Sequence, residues 1–133
     1  MFTIVGFFML KDGNQRNNRG HACYITAIST LKSPNIPAEL YAFSAAGDTF
    51  FPDHTIVFAI GKVFYPPPGD PRPVIIDTLE IAPLPGSPSS DTYIDSMPNF
   101  RHPAMLACGT VSSAAHTVDN RAIKFSLMIQ DYI

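Results

Sequence analysis

Two apolar runs, Thr55–Tyr65 and Val74–Ala82, are joined by Pro66-Pro67-Pro68-Gly69-Asp70-Pro71-Arg72-Pro73. No helix survives such a connection, because proline removes a backbone donor and clashes with the preceding turn. The runs themselves read as strands. Thr55-Ile56-Val57-Phe58-Ala59-Ile60 is rich in β-branched and aromatic residues, which pack well on a pleated surface. Apolar residues stand on both parities, so both faces of this strand are expected to be covered, as in a sandwich or a barrel. Gly61 marks a bulge or a sharp bend. The second run is continuously apolar at first and then alternates, with Asp77, Leu79 and Ile81 on one side and Thr78 and Glu80 on the other. Asp77, on the apolar parity, is expected to be buried against a backbone N–H or a basic partner, since a buried carboxylate needs a donor.

The remaining chain repeats the pattern. Thirteen prolines and eight glycines among 133 residues favour many short strands over long helices. That length suits one domain, residues 1–133, able to bury a sizeable core. Met1–Leu10 reads as a strand ending in a turn at Asp12-Gly13. It lacks the basic start and small-residue cleavage site of a leader, and it is too short to span a bilayer. A polar loop, Asn14–Gly20, precedes the strand His21–Leu31, in which Ala22, Tyr24, Thr26 and Ile28 share one face and Cys23, Ile25, Ala27 and Leu31 the other. Lys32–Pro37 reads as a loop and Glu39–Ala46 as a strand, with Leu40, Ala42 and Ser44 opposite Tyr41 and Phe43. Phe50-Phe51 before Pro52 reads as a core plug. Pro83–Pro103 is the longest irregular stretch, with one short helical turn expected near Ser90–Ile94. Ala104–Ser113 is a strand, Ser112–Asn120 a polar hairpin loop containing His116, and Ala122–Ile133 a last alternating strand with Ile123, Phe125, Leu127 and Ile129 facing inward.

Chemistry-bearing patterns are sparse. Cys23 and Cys108 lie far apart with no C-x-x-C. They read as two buried free thiols of a reducing compartment, paired only if their strands are neighbours. The lack of an N-x-[ST] sequon agrees with an intracellular chain, nuclear or cytoplasmic. Asp91 and Asp95 stand one helical turn apart without enough companions for a metal. No G-x-S-x-G, H-E-x-x-H or P-loop pattern occurs, and His21, His54, His102 and His116 fall on loops or strand starts, which are poor platforms for a rigid catalytic constellation. The expectation is a non-enzyme without cofactor or metal.

Certain pieces recur in a fixed order. These are Gly20-His21-Ala22-Cys23-Tyr24-Ile25, then Asp53-His54-Thr55-Ile56-Val57-Phe58-Ala59-Ile60-Gly61-Lys62-Val63, then Ile76-Asp77. Pro83-Leu84-Pro85-Gly86-Ser87-Pro88 with Tyr93 and Pro98, Gly109-Thr110-Val111 and Asp131-Tyr132 follow. In this the chain resembles a large, uncharacterised family of basidiomycete fungal proteins with OB-fold-like β-barrels, similar in outline to the single-strand-binding modules of replication protein A. The resemblance implies an all-β, OB-fold-like Greek-key β-barrel with long proline-rich loops. It carries over no activity or binding residue. Where those proteins have Pro-Gly-Asp-Pro after the second central strand, this chain has Pro85-Gly86-Ser87-Pro88, and its Pro-Gly-Asp-Pro stands at Pro68–Pro71. Family members continue past the position of Tyr132, so the chain is expected to be a truncated copy.

Two readings of function follow. The first is an OB-like binding module for single-stranded nucleic acid, which needs stacking aromatics in a basic groove. Tyr24, Tyr41, Phe58 and Tyr65 are the candidate rings, and Lys62, Arg72, Arg101 and Lys124 the candidate cations. The alternative is a protein-interaction or scaffold β-barrel that recruits another protein through a sheet edge or the proline loops. Nine basic against eleven acidic residues give no footprint for duplex binding, and a single-strand groove would have to segregate charge sharply. No membrane partner is expected.

Overall fold

The computed structural model of the chain describes residues 2–16, 20–30, 34–43, 49–98, 102–111, 116–119, 122–124 and 127–128; at residue 16 and in the last three segments only the backbone course is described. Among the described residues it is all-β apart from one 3-10 turn. The strands are β1 (Phe2–Met9), β2 (Lys11–Arg16), β3 (His21–Ile28), β4 (Ile36–Phe43), β5 (Ile56–Phe64) and β6 (Val74–Pro83). After the turn at Ile94–Ser96 come β7 (Ala104–Ala107), β8 (Thr110–Val111), β9 (His116–Asp119), β10 (Ala122–Lys124) and β11 (Leu127–Met128). Seven strands form one mixed sheet in the order β2-β3-β4-β6-β5-β1-β7, and β10-β9 and β11-β8 form two small ladders. Only β4 and β6 pair in parallel within the large sheet. The two apolar runs on either side of the proline-rich connection become the antiparallel pair β5–β6.

The chain does not turn at Asp12-Gly13. Leu10 is fully buried, its N–H donates to the Thr55 carbonyl at 2.8 Å, and its carbonyl accepts from the His54 N–H at 2.8 Å. With those groups satisfied, the extended course passes through Leu10 from β1 into β2. The expected turn is a bulge instead: the β2–β3 register shifts between Lys11 and Asn14, and Asp12 takes a φ of 52° while its N–H donates to Asp53 Oδ1 at 2.9 Å. One run of chain thus pairs with β5 and β7 by its first half and with β3 by its second.

One face of the sheet carries the core. Ile4, Phe8, Leu10, Leu40, Val57 and Ile76 are its largest fully buried side chains, with Tyr24, Ile28, Val63 and Val74 around them. Each such aliphatic or aromatic side chain contributes about 1.5–3 kcal/mol by leaving water. The faces expected for His21–Ile28 hold, with Ala22, Tyr24, Thr26 and Ile28 inward. Both faces of β5 are not equally covered: Val57, Ala59 and Val63 are buried, while Phe58 and Phe64 on the other face are exposed.

Several boundaries differ from expectation. β4 starts at Ile36 and so takes in Pro37. Its ladder with β6 begins only at Ala38, so the missing Pro37 N–H removes no bond from that side. The expected strand end at residues 44–46 lies outside the described residues. Ala104–Ser113 is split into β7 and β8, and His116–Asp119 is a strand rather than a loop because it pairs with β10. The single last strand is divided between β10 and β11, which pair with different partners; Phe125 and Ile129 lie outside the described residues. Neither cysteine is in a disulfide, and Cys108, expected to be buried, is exposed.

The correction at Asp77 has a clear cause. In the β5–β6 ladder Ile60 faces Glu80 whereas Gly61 faces Thr78, so Leu79 is an extra residue and the alternation of β6 reverses across it. Ile76 and Thr78 stay on the core side, and Asp77 points outward, exposed. The neighbouring glycine makes the close approach possible: a Cβ at Gly61 would stand 2.7 Å from the Asp77 carbonyl oxygen. Gly61→Ala is therefore expected to lower stability by about 1–3 kcal/mol through overpacking, measured as a fall in the urea midpoint. An unchanged midpoint would show that the bulge relaxes freely.

Candidate functional site

The eight residues singled out from the sequence do not form one constellation. Tyr24 is on the core face and is 3 % exposed. Its hydroxyl accepts a hydrogen bond from the Phe51 N–H at 3.1 Å, and its ring packs against Phe50 and Phe51. It is therefore a buried partner of the Phe50-Phe51 segment and no stacking platform. The alternation identified its companions but not which side of the sheet faces inward. Tyr41, Phe58 and Lys62 do share the opposite, outer face. Tyr41 of β4, Asp77 of β6 and Lys62 of β5 stand in one row across the strands. Phe58 lies further along β5, its ring 5.4 Å from that of Phe7.

Tyr65 lies just past β5 with its ring edge-on to Phe2 at 5.7 Å, and partial burial pushes its phenol pKa up. Arg72 is in the β5–β6 connection and closes a local ring with Asp70. Its Nη2 and Nε donate to Asp70 Oδ2 at 2.6 and 2.9 Å, and its backbone N–H donates to Asp70 Oδ1 at 2.9 Å. Arg101 lies outside the described residues. Lys124 is in β10, and its side chain is likewise outside them.

Among the described side chains the outer face carries exposed apolar groups and three carboxylates, Glu39, Asp77 and Glu80, beside Lys62. Ile25, Glu39, Ile75 and Phe64 form one row across β3, β4, β6 and β5, and Ile25, Ile75 and Phe64 are exposed. Glu39 accepts from the Tyr41 hydroxyl at 2.9 Å. Asp77 and Glu80 project from β6 on the same face, opposite Lys62 and Ile60. Phe43, at 78 % the most exposed of the large apolar residues described, ends β4 with its ring edge-on to His21. The bulge at Leu79 assembled this face, and no sequence period reports it.

A second feature was not foreseen. A groove of about 620 Å³ opens at the bend of the β1–β2 run. Phe7, Met9, Ile25 and Ile56 line it from the strands, Ile94 and Met97 from the long loop, and Lys11 and His54 carry its charged and titratable groups. Tyr93 holds the loop wall in place. It is 4 % exposed, and its hydroxyl accepts from the Ile56 N–H at 2.9 Å and reaches the Ile56 and Leu84 carbonyls at 3.3 Å. The residues after it form the 3-10 turn Ile94–Ser96, as the sequence suggested nearby. Lone tyrosines in a proline-rich loop carry no signal that would have marked this anchor.

Among the described residues no three His, Cys, Asp or Glu side chains come together to hold a metal ion. Nor is any helix among them long and apolar enough to cross a membrane. Comparisons with protein-family models, with curated proteins and with solved structures find no match.

Two outcomes follow from this geometry. Tyr93→Phe leaves the buried Ile56 N–H without its acceptor and is expected to cost about 1–3 kcal/mol, read by thermal or urea unfolding. A cost near zero would mean the loop is not anchored there. Hydrogen bonds from the Arg72 side chain, then from its backbone, hold the Asp70 carboxyl below its ordinary value. The contribution to stability is present above the unfolded carboxylate pKa and lost as pH falls through the lowered folded value. In an NMR titration Arg72→Ala is expected to return Asp70 toward the ordinary carboxylate range.

Proposed function

We propose that the chain is a non-enzymatic OB-like binding module whose outer face takes a protein partner. The OB reading is supported by connectivity. With β1 and β2 counted as one bent strand, the order runs first, second, third, fifth, fourth and first again, with β7 added beyond β1. The third and fifth are the parallel pair. That is the order of a five-stranded OB barrel, a partly open Greek key. Kinship with the basidiomycete OB-like family belongs to the same reading and draws on the same strands, His21–Ile28 and Ile56–Phe64.

Charge at the centre of the outer face carries the choice of partner. Glu39 accepts from the Tyr41 hydroxyl, Asp77 stands between Tyr41 and Lys62 in one row, and Glu80 projects further along β6, opposite Ile60. A single strand brings a negative charge with every nucleotide, and neutralising phosphates is what supplies most of its binding. Carboxylates among the exposed aromatic and aliphatic groups suit instead a protein segment with apolar side chains and a few cations, drawn by complementary charge.

The test pairs a peptide selection with a DNA titration. Selection from a random-peptide display library on the immobilised chain is expected to return segments with Lys or Arg beside aromatic residues. Asp77→Lys combined with Glu80→Lys, both exposed positions, is expected to weaken such a segment tenfold or more. A labelled single strand of about thirty nucleotides is expected to show no anisotropy change at low salt. Salt-dependent DNA binding in the micromolar range, weakened by Lys62→Glu, would overturn the protein reading in favour of the nucleic-acid module.

A further inference from the structure

We propose that the groove at the bend of the β1–β2 run is a binding site for a small amphiphile carrying one carboxylate and an unbranched apolar chain. Its volume of about 620 Å³ lies within the usual span of roughly 300–1,000 Å³ for small-molecule sites. The floor comes from Met9, Ile25 and Ile56 and the loop wall from Ile94 and Met97. Methionines on two sides of a slot adapt their shape to an aliphatic chain without strain.

The polar end is equally specific. Lys11 and His54 are held next to each other because the His54 N–H donates to the carbonyl of Leu10, the residue before Lys11. Among the described residues no carboxylate lines the groove, although Asp12 and Asp53 are the immediate chain neighbours of those two residues. Asp53 instead accepts the Asp12 N–H. Lys11 has no ion-pair partner among the described residues. An incoming carboxylate therefore meets an unpaired cation in a groove whose described lining holds no carboxylate.

A hydrocarbon chain fits the remainder better than a peptide does. A peptide needs partners for its backbone groups along its whole length; beyond Lys11 and His54 the groove offers the side chains of Ser29 and Asn35, the Thr26 hydroxyl already donating to the Met9 carbonyl at 2.8 Å. An aliphatic chain needs none. A nucleic-acid strand would set a phosphate on every residue against the single lysine. The site shares Ile25 with the outer face but uses neither Asp77 nor Glu80, so substitutions at those two carboxylates separate it from the protein-binding reading.

The experiment is calorimetric titration of the full chain with hexanoate, octanoate, decanoate and decanol, with methyl-labelled methionine NMR to place the ligand. Affinity is expected to rise about fourfold per added methylene, the change that burying one such group produces, until the groove is filled. Met9 and Met97 methyl signals are expected to shift. Lys11→Gln is expected to weaken decanoate about tenfold and leave decanol unchanged. Met9→Asp, at an exposed position, is expected to abolish binding. Equal affinity for hexanoate and decanoate, or decanoate binding indifferent to Lys11→Gln, would overturn the proposal. So would an acidic apolar peptide that moves the same methyl signals at lower concentration than decanoate. The Asp77→Lys and Glu80→Lys variant keeps decanoate binding if this inference is right, whatever becomes of the protein-binding reading.

Discussion

Leu10 and its two backbone hydrogen bonds hold the architecture together. A strand can belong to two ladders only if it passes from one to the other without leaving polar groups unpaired in the interior. Here the passage is made by a fully buried leucine whose N–H and carbonyl are taken by Thr55 and His54. Beyond it, Thr26 of β3 donates to the carbonyl of Met9 in β1, so the two halves of the sheet are tied side by side. The core cluster, which draws residues from β1 and from β3 through β6, depends on this closeness. The groove is its external consequence, since a strand that bends around its own core leaves a notch on the outside of the bend.

A second irregularity, the extra residue Leu79 in β6, decides what the outer face displays. Side chains alternate with a period of two, so one inserted residue reverses every assignment after it. Asp77 is outward because Ile76 remains core, and Glu80 is outward because the alternation restarts beyond Leu79. Gly61 makes the irregularity feasible by letting β5 approach the Asp77 carbonyl more closely than a Cβ would permit. The charge of the exposed face, and with it the choice between nucleic acid and protein as a partner, rests on a backbone defect of one residue.

Legibility follows the range of the physics involved. The paired runs around the proline connection and the faces of His21–Ile28 were readable, because alternation and proline chemistry act within a few residues. The site was less readable. Tyr24, nominated as an exposed ring, is a core residue hydrogen-bonded to Phe51. Arg72, nominated as a cation of the binding groove, is taken up by Asp70 two residues away in the same proline-rich loop. Tyr93 was quoted from the sequence without a role, and its contacts with Ile56 and Leu84 span a separation that no local pattern encodes.

The amino-acid sequence by itself determined that this chain is built of strands, roughly where the central ones lie, and which residues travel together on a face. These follow from steric preference, burial of apolar surface and the limits proline sets on the backbone, all local properties. Tertiary structure alone decided which face is inside, that the first strand continues through Leu10 instead of turning, and that carboxylates and apolar side chains meet on one surface with a groove beside it. Those outcomes depend on register between strands far apart in the chain. Register is settled by which groups find partners when the sheet assembles, and not by any residue's own preference.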